Sequence, residues 1–128
     1  MKLLLDTHAL LWWWLDDRRL SSKARAKIGQ SANVVFVSAV SALEIAIKVR
    51  LGKLPEANDL VDQFEEGLAQ QGFKPLPVSM THALKAGLLE GDHRDPFDRL
   101  LAAQAMIDDL TIITNDRALT AFGASALW

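Results

Sequence analysis

Four acidic residues stand far apart in this chain, each where an apolar run ends or in the helical pattern behind it. Asp6 follows Lys2-Leu-Leu-Leu, and Glu44 lies in the helical pattern after Val34-Val-Phe-Val. Asp98 sits in Asp95-Pro-Phe-Asp-Arg, and Asp116 follows Thr111-Ile-Ile-Thr-Asn. In an open α/β sheet, ligands collect in the crevice outside the carboxyl ends of the strands. Carboxylates gathered there repel one another unless a cation holds them. An all-oxygen donor set suits Mg²⁺ or Mn²⁺, the metals of phosphoryl chemistry. The placement points to a metal-dependent phosphodiesterase, with a nuclease the leading case.

Each acid also has a purely local reading. Asp6 can cap the helix behind it, with Thr7 competing for that role. Glu44 and Lys48 form an i,i+4 pair on a helix face, although Ile45, Ala46, Ile47 and Val49 leave little room for a wide polar face. Asp95-Pro96-Phe97-Asp98 is close to a capping box, with Asp95 as N-cap, Pro96 at the first helical position and an acid at the third. Asp116 follows Asn115 at a turn or helix start. No one acid is specific, and their joint placement carries the argument.

His8, His82 and His93 allow a rival chemistry, general acid–base cleavage by paired imidazoles. His8 and His93 neighbour Asp6 and Asp95 and can reach the same crevice, whereas His82 reads as a surface or packing residue. Neither a Gly-x-x-x-x-Gly-Lys loop nor a Gly-x-Ser-x-Gly elbow occurs, which removes P-loop and α/β-hydrolase readings.

The elements that must position these residues alternate. Residues 3–5 read as a short buried strand and 8–15 as a helix, followed by a helix from Ser21 or Ser22 to Gln30. Val34–Val37 is β-branched and aromatic, hence a central strand. Ser38 caps a helix whose Val40, Leu43, Ile47 and Leu51 keep helical spacing, with Gly52 as its stop. One continuous helix is predicted from Pro55 to about Gln71, ending at Gly72. Phe73–Val78 holds Pro75 and Pro77, so it is an edge strand or a poor one. A helix over 81–89, a polar loop over 90–95 and a helix from Pro96 to Asp108 follow. Thr111–Thr114 is a strand, 117–122 a short helix, and 126–128 a final strand. Strands alternating with helices imply a parallel sheet covered on both faces.

The 128 residues, half of them hydrophobic, suffice for one domain spanning 1–128 that buries roughly two-thirds of its unfolded surface. No cysteine is present, which fits a reducing compartment. The apolar stretch Ala9–Leu15 falls far short of the ~20 residues needed to span a bilayer, and no signal-peptide pattern follows Met1. A soluble, cytoplasmic protein with no membrane partner is expected. The net charge of −2 looks wrong for a nucleic-acid enzyme. Setting the four candidate acids aside from the 16 leaves 12 against 14 basic residues, a remainder of +2. Charge therefore neither supports nor excludes a phosphate substrate.

Four blocks together resemble the PIN-domain family, and more narrowly its VapC-type toxins. They are Leu4-Leu-Asp-Thr-His-Ala-Leu-Leu-Trp; Ser38-Ala-Val-Ser-Ala-Leu-Glu-Ile-Ala-Ile-Lys with Leu51-Gly-Lys-Leu; His93-Arg-Asp-Pro-Phe-Asp-Arg-Leu-Leu-Ala-Ala-Gln-Ala; and Leu110-Thr-Ile-Ile-Thr-Asn-Asp. The resemblance runs through nearly the whole chain in order. It implies a three-layer α/β/α sandwich with a central parallel sheet of about four to five strands. It also implies an Mg²⁺- or Mn²⁺-dependent ribonuclease site at Asp6, Glu44, Asp98 and Asp116, with Thr114 as a supporting hydroxyl. Thr7, Lys48, His93 and Arg99 are further candidates for support or substrate contact. Asp95 matches the helix cap better than a ligand.

The chemistry expected is in-line attack of water on phosphorus, giving a 5′-phosphate and a 3′-hydroxyl. Asp6, Asp98 and Asp116 would hold one or two ions, and Glu44 would bind directly or orient the water. Such chemistry does not need the ribose 2′-OH, so the choice of RNA rests on the resemblance. Two other classes compete. A phosphatase using Asp6 as nucleophile expects an Asp two residues later, where His8 stands, and a non-catalytic binding module would use the acids only as caps.

Trp12-Trp13-Trp14 carries a separate expectation. Three consecutive helical residues sweep about 200°, wider than a core-facing stripe, so at least one indole lies outside the core. The resemblance adds a homodimer contact and a groove for a cognate antitoxin, and the tryptophan helix is expected to join such an interface.

Overall fold

A computed structural model describes residues 1–128. The first strand, β1 (Lys2–Leu5), leads into α1 (Thr7–Trp14) and α2 (Ser22–Gly29). β2 (Val34–Ser38) is followed by α3 (Ala39–Arg50), a single 3₁₀ turn at Pro55–Ala57, α4 (Asn58–Asp62) and α5 (Phe64–Gln71). β3 (Lys74–Leu76), α6 (Met80–Leu88), α7 (Pro96–Asp108), β4 (Thr111–Ile113), α8 (Arg117–Ala121) and β5 (Ala126–Leu127) complete the chain.

The five strands form one parallel sheet in the order β3-β2-β1-β4-β5. β1 is central, with Leu5 opposite Val37 on one side and Ile113 on the other. The chain first builds outward through β2 and β3, then returns to lay β4 on the opposite flank of β1. The strand order therefore reverses between β1 and β4, and a crevice opens at the carboxyl ends of those two strands.

The pleat sorts the apolar residues into two cores. Leu3 and Leu5, with Val35, Val37 and Ile113, pack against α1, α2 and Leu68 of α5. Leu4 and Ile112 face the other way, onto Leu101, Ala102 and Ala105 of α7 and Leu119 of α8. Leu3, Leu4 and Leu5 have no solvent exposure at all. A continuous apolar run is what a strand covered on both faces requires. The result is the three-layer α/β/α sandwich expected, with five strands.

Local departures have identifiable causes. The helix expected over 55–71 is broken, with Gln63 at φ −129° and ψ 41° between α4 and α5. The break lies beside Trp14, whose indole meets Phe64 edge-on at 5.1 Å between centroids. A Cβ added at Gly67 would stand 3.1 Å from the same indole, so Gly67 permits the close approach. A bulky ring from α1 fills the angle between two short helices. β3 is an edge strand, as the prolines require.

All three consecutive tryptophans are half-buried, and none is in the fully buried core. Trp12 packs on Trp128, Trp13 on Phe73 and Trp14 on Phe64. His82 is a packing residue: Nδ1 accepts the Ser79 N–H at 3.0 Å and Nε2 lies 2.9 Å from Asp108 Oδ2, tying α6 to α7. No helix is long and apolar enough to cross a membrane.

Candidate metal centre

The acids reach the crevice because four elements end or begin there. Asp6 is the first residue beyond β1, and its N–H still donates to Ile113 O of β4 at 3.2 Å. Asp116 follows β4, Asp98 lies in the first turn of α7, and Glu44 lies in the middle of α3. Together with Thr7, His8, Asp95 and Leu101 they line one cleft of about 110 Å³. Five of its eight lining residues are acidic, and none is Lys or Arg.

Three of these acids are also helix caps. Asp6 Oδ1 accepts the Ala9 N–H at 2.7 Å, so Asp6, rather than Thr7, is the N-cap of α1. Asp116 Oδ1 accepts the Ala118 N–H at 2.9 Å, and Asp95 Oδ1 accepts Phe97 and Asp98 N–H at 2.9 and 3.4 Å. In each, Oδ1 satisfies a helix N-terminus in a residue that also lines the cleft. Capping and site roles, weighed as alternatives from the sequence, coexist in the same side chains. Thr7, displaced from the cap, bonds Ser41 Oγ at 3.0 Å and ties α1 to α3 one turn before Glu44.

Charge is unfavourably crowded. Asp6 is only 5% exposed, and burial pushes its pKa above 3.8, against the opposing hydrogen bonds from Thr114 and the Ala9 N–H. Asp116 pushes it up further. Asp98 is likewise raised, first by burial and then by Asp95 and Asp116, while His93 pulls it down. Glu44 Oε2 pairs with Lys48 Nζ at 3.2 Å, so the i,i+4 pair of the sequence exists in a residue that also lines the cleft.

A divalent cation fits this site. The donors are oxygens, they lack any basic partner in the lining except His8, and their mutual repulsion is the kind a cation relieves. The tightest group of ligand atoms is His93, Asp95 and Asp98, all within 4.8 Å of one another. No three of Asp6, Glu44, Asp98 and Asp116 converge that closely.

The remaining candidates fall into different surroundings. Thr114 is buried, and its hydroxyl accepts the Asp116 N–H at 2.9 Å. His93 Nε2 lies 2.7 Å from Asp98 Oδ2. Arg99 is committed to backbone carbonyls of Ala86, Leu89 and His93, which makes it an anchor for the 89–93 loop instead of a free phosphate contact. Sequence reasoning gave Asp95 only a capping role and left out the buried bond between Ser38 Oγ and Gln104 Oε1 at 2.6 Å, which links β2 to α7 beneath the site. The signal for Asp95 was its position one turn before Asp98 at the same helix start. For Ser38–Gln104 none existed, since 66 residues separate them. A larger groove of about 580 Å³ opens elsewhere, against β3 and α5, but it is mostly apolar and its only titratable residue is Glu65.

Known proteins resemble this chain in sequence and in fold. Ribonuclease VapC22 of Mycobacterium tuberculosis (strain ATCC 25618 / H37Rv) is 29% identical over 119 residues, covering 91% of this chain and 88% of that protein. Among solved structures, VapBC2 from Rickettsia felis bound to a DNA fragment from their promoter matches with a TM-score of 0.73 at 16% identity. The match covers 99% of this chain and 98% of that one. VapBC-1 from nontypeable Haemophilus influenzae matches at 0.68 and 14% identity, over 99% and 97%. At such identities the structures speak for the fold alone. The family model described as PIN domain matches residues 3–124, so this chain belongs to the PIN-domain family.

Proposed function

We propose that this chain is a divalent-cation-dependent endoribonuclease acting in the cytoplasm as the toxin of a toxin–antitoxin pair. The observation that carries this reading is the meeting of Asp6, Glu44, Asp98 and Asp116, from four separate segments, in one cleft beside the reversal of strand order. The direction toward RNA comes from the likeness to a protein named a ribonuclease.

Mg²⁺ or Mn²⁺ held by these acids supplies positive charge against the charge that builds on a phosphodiester as it breaks. The chain's own residues do the positioning. Asp6 is fixed by the Ala9 N–H, and Asp116 by the Ala118 N–H and, at its own N–H, by the Thr114 hydroxyl. Glu44 is tethered through Oε2 to Lys48, which leaves Oε1 to accept a proton from the attacking water. Water attack without the 2′-OH leaves a 5′-phosphate and a 3′-hydroxyl.

The paired-histidine rival is weakened because His8 lines the cleft and His93 does not. The phosphatase rival is weakened because Asp6 Oδ1 is held by the Ala9 N–H, and His8 stands two residues on. Partners are a cognate antitoxin and a second copy of the chain. The partly exposed indoles of Trp12, Trp13 and Trp14 offer their outer edges to such contacts, and α6 carries exposed Met80, Leu84 and Leu88.

Cleavage of a defined RNA with Mn²⁺ and with EDTA, followed by analysis of both product ends, tests the reading. Activity should vanish in EDTA, return with Mg²⁺ or Mn²⁺, and leave 5′-phosphate ends. EDTA-resistant cleavage giving 2′,3′-cyclic phosphate would overturn it.

A further inference from the structure

Beside the four acids, one polar network runs through the loop before α7. Arg99 Nε donates to Ala86 O at 2.8 Å, one terminal nitrogen donates to His93 O at 2.9 Å, and the other donates to Leu89 O. The guanidinium carbon lies 5.3 Å from the Phe122 ring centroid, and the His93 ring lies 6.0 Å from the same ring. The loop is thus pinned at Leu89 and at His93, and the imidazole is packed on one side. From that fixed position, Nε2 meets Asp98 Oδ2 at 2.7 Å. With the carboxylate ionised, the imidazole N–H is the donor.

Asp98 has little else to orient it. A carboxylate at the third position of a helix can turn back to its N-cap N–H, but no such bond forms here. Asp95 takes the helix N–H groups of Phe97 and of Asp98 itself. The other charged groups acting on Asp98, Asp95 and Asp116, are acids and repel it. His93 is therefore the one side chain holding this carboxylate in place. Carboxylates that bind a cation are commonly fixed by a donor of this kind, and losing the donor weakens binding about 10–100-fold.

We infer that His93 is a positioning residue for Asp98, itself held by Arg99, and that the chain Arg99–His93–Asp98 sets the affinity of the acidic cleft for a divalent cation. This rests on the reading of that cleft as a cation site. The competing account is that His93 only ties its loop to α7.

Mn²⁺ titration of the full chain by calorimetry, with thermal melts of each variant in EDTA, separates the two. His93→Ala should bind Mn²⁺ about tenfold or more weakly while melting within a few degrees of wild type. His93→Gln, whose amide still donates toward Asp98, should recover most of the affinity. Arg99→Lys keeps the charge but not the three-carbonyl fork, and should weaken Mn²⁺ binding as His93→Ala does. Wild-type Mn²⁺ affinity in His93→Ala, or equal loss in the Ala and Gln variants, would overturn the inference. Asp98→Asn in the same titration tells the two failures apart. Its loss of binding beside an unaffected His93→Ala sinks the positioning role alone, and no binding by wild type sinks the cation-site reading with it.

Discussion

The Thr114 hydroxyl accepts the backbone N–H of Asp116 at 2.9 Å, and the same hydroxyl works against burial to lower the Asp6 pKa. One buried side chain thus couples the acids that follow β1 and β4, at the point where the strand order reverses. Thr114→Val keeps the shape and removes the hydroxyl, leaving the Asp116 N–H without its acceptor. A loss of about 1–3 kcal/mol in urea unfolding is expected. RNA cleavage should fall about tenfold or more, with Thr114→Ser close to wild type. Unchanged cleavage in the Val variant would remove Thr114 from the site.

Asp6→Asn and Asp98→Asn should each lower cleavage by about 100-fold or more, since each removes a charged donor from the cleft. In EDTA the same variants should be at least as stable as wild type. Both carboxyls have raised pKa values when folded, so each binds its proton more tightly folded than unfolded. Such a group favours folding at low pH, and the advantage is lost as pH rises from 3.8 through the raised folded value. The melting temperature of wild type minus that of Asp6→Asn should therefore decline with rising pH in EDTA and then level off. A difference that grows with pH has the wrong sign and contradicts the burial argument.

His82→Ala should destabilise by about 2–3 kcal/mol, because the buried ring serves both the Ser79 N–H and Asp108. Ser79→Ala removes only the N-cap of α6 and should cost about 1 kcal/mol. Guanidinium denaturation of the two variants should show the larger midpoint shift for His82.

Trp14→Ala should cost about 2–3 kcal/mol, somewhat under a fully buried indole, because part of the ring stays exposed. Its contacts with Phe64 and Gly67 hold the angle between α4 and α5. Hydrogen exchange should quicken in residues 58–71 before the sheet is affected. Uniform loss of protection across the chain would show that the bend does not depend on this ring.

Much of the architecture was legible because short apolar runs, caps and prolines act locally. Ser38 caps α3, Pro96 opens α7 and Gly72 closes α5 with φ 75°, each where its residue type requires. The break at Gln63 was not legible, since Leu60, Val61, Phe64 and Leu68 keep helical spacing across it and the cause is a ring from another helix. For the site, strand ends pointed to the acids, but local spacing could not show that one carboxylate both caps a helix and lines the cleft. Nor could it show where the Arg99 guanidinium is directed, because its acceptors are backbone carbonyls that carry no residue signature.

The pairing of β1 with β4 also bears on how the chain is made. Residues 3–5 find their partners at 111–113, and the acid at position 6 is complemented by the one at 116. A ribosome must release the whole stretch between those segments before they can close on each other. Until then the nascent chain holds at most part of the cleft and has an unpaired edge on its central strand. The cluster closes only after β4 has emerged, so a product ending before β4 lacks Asp116 and leaves that edge open to association.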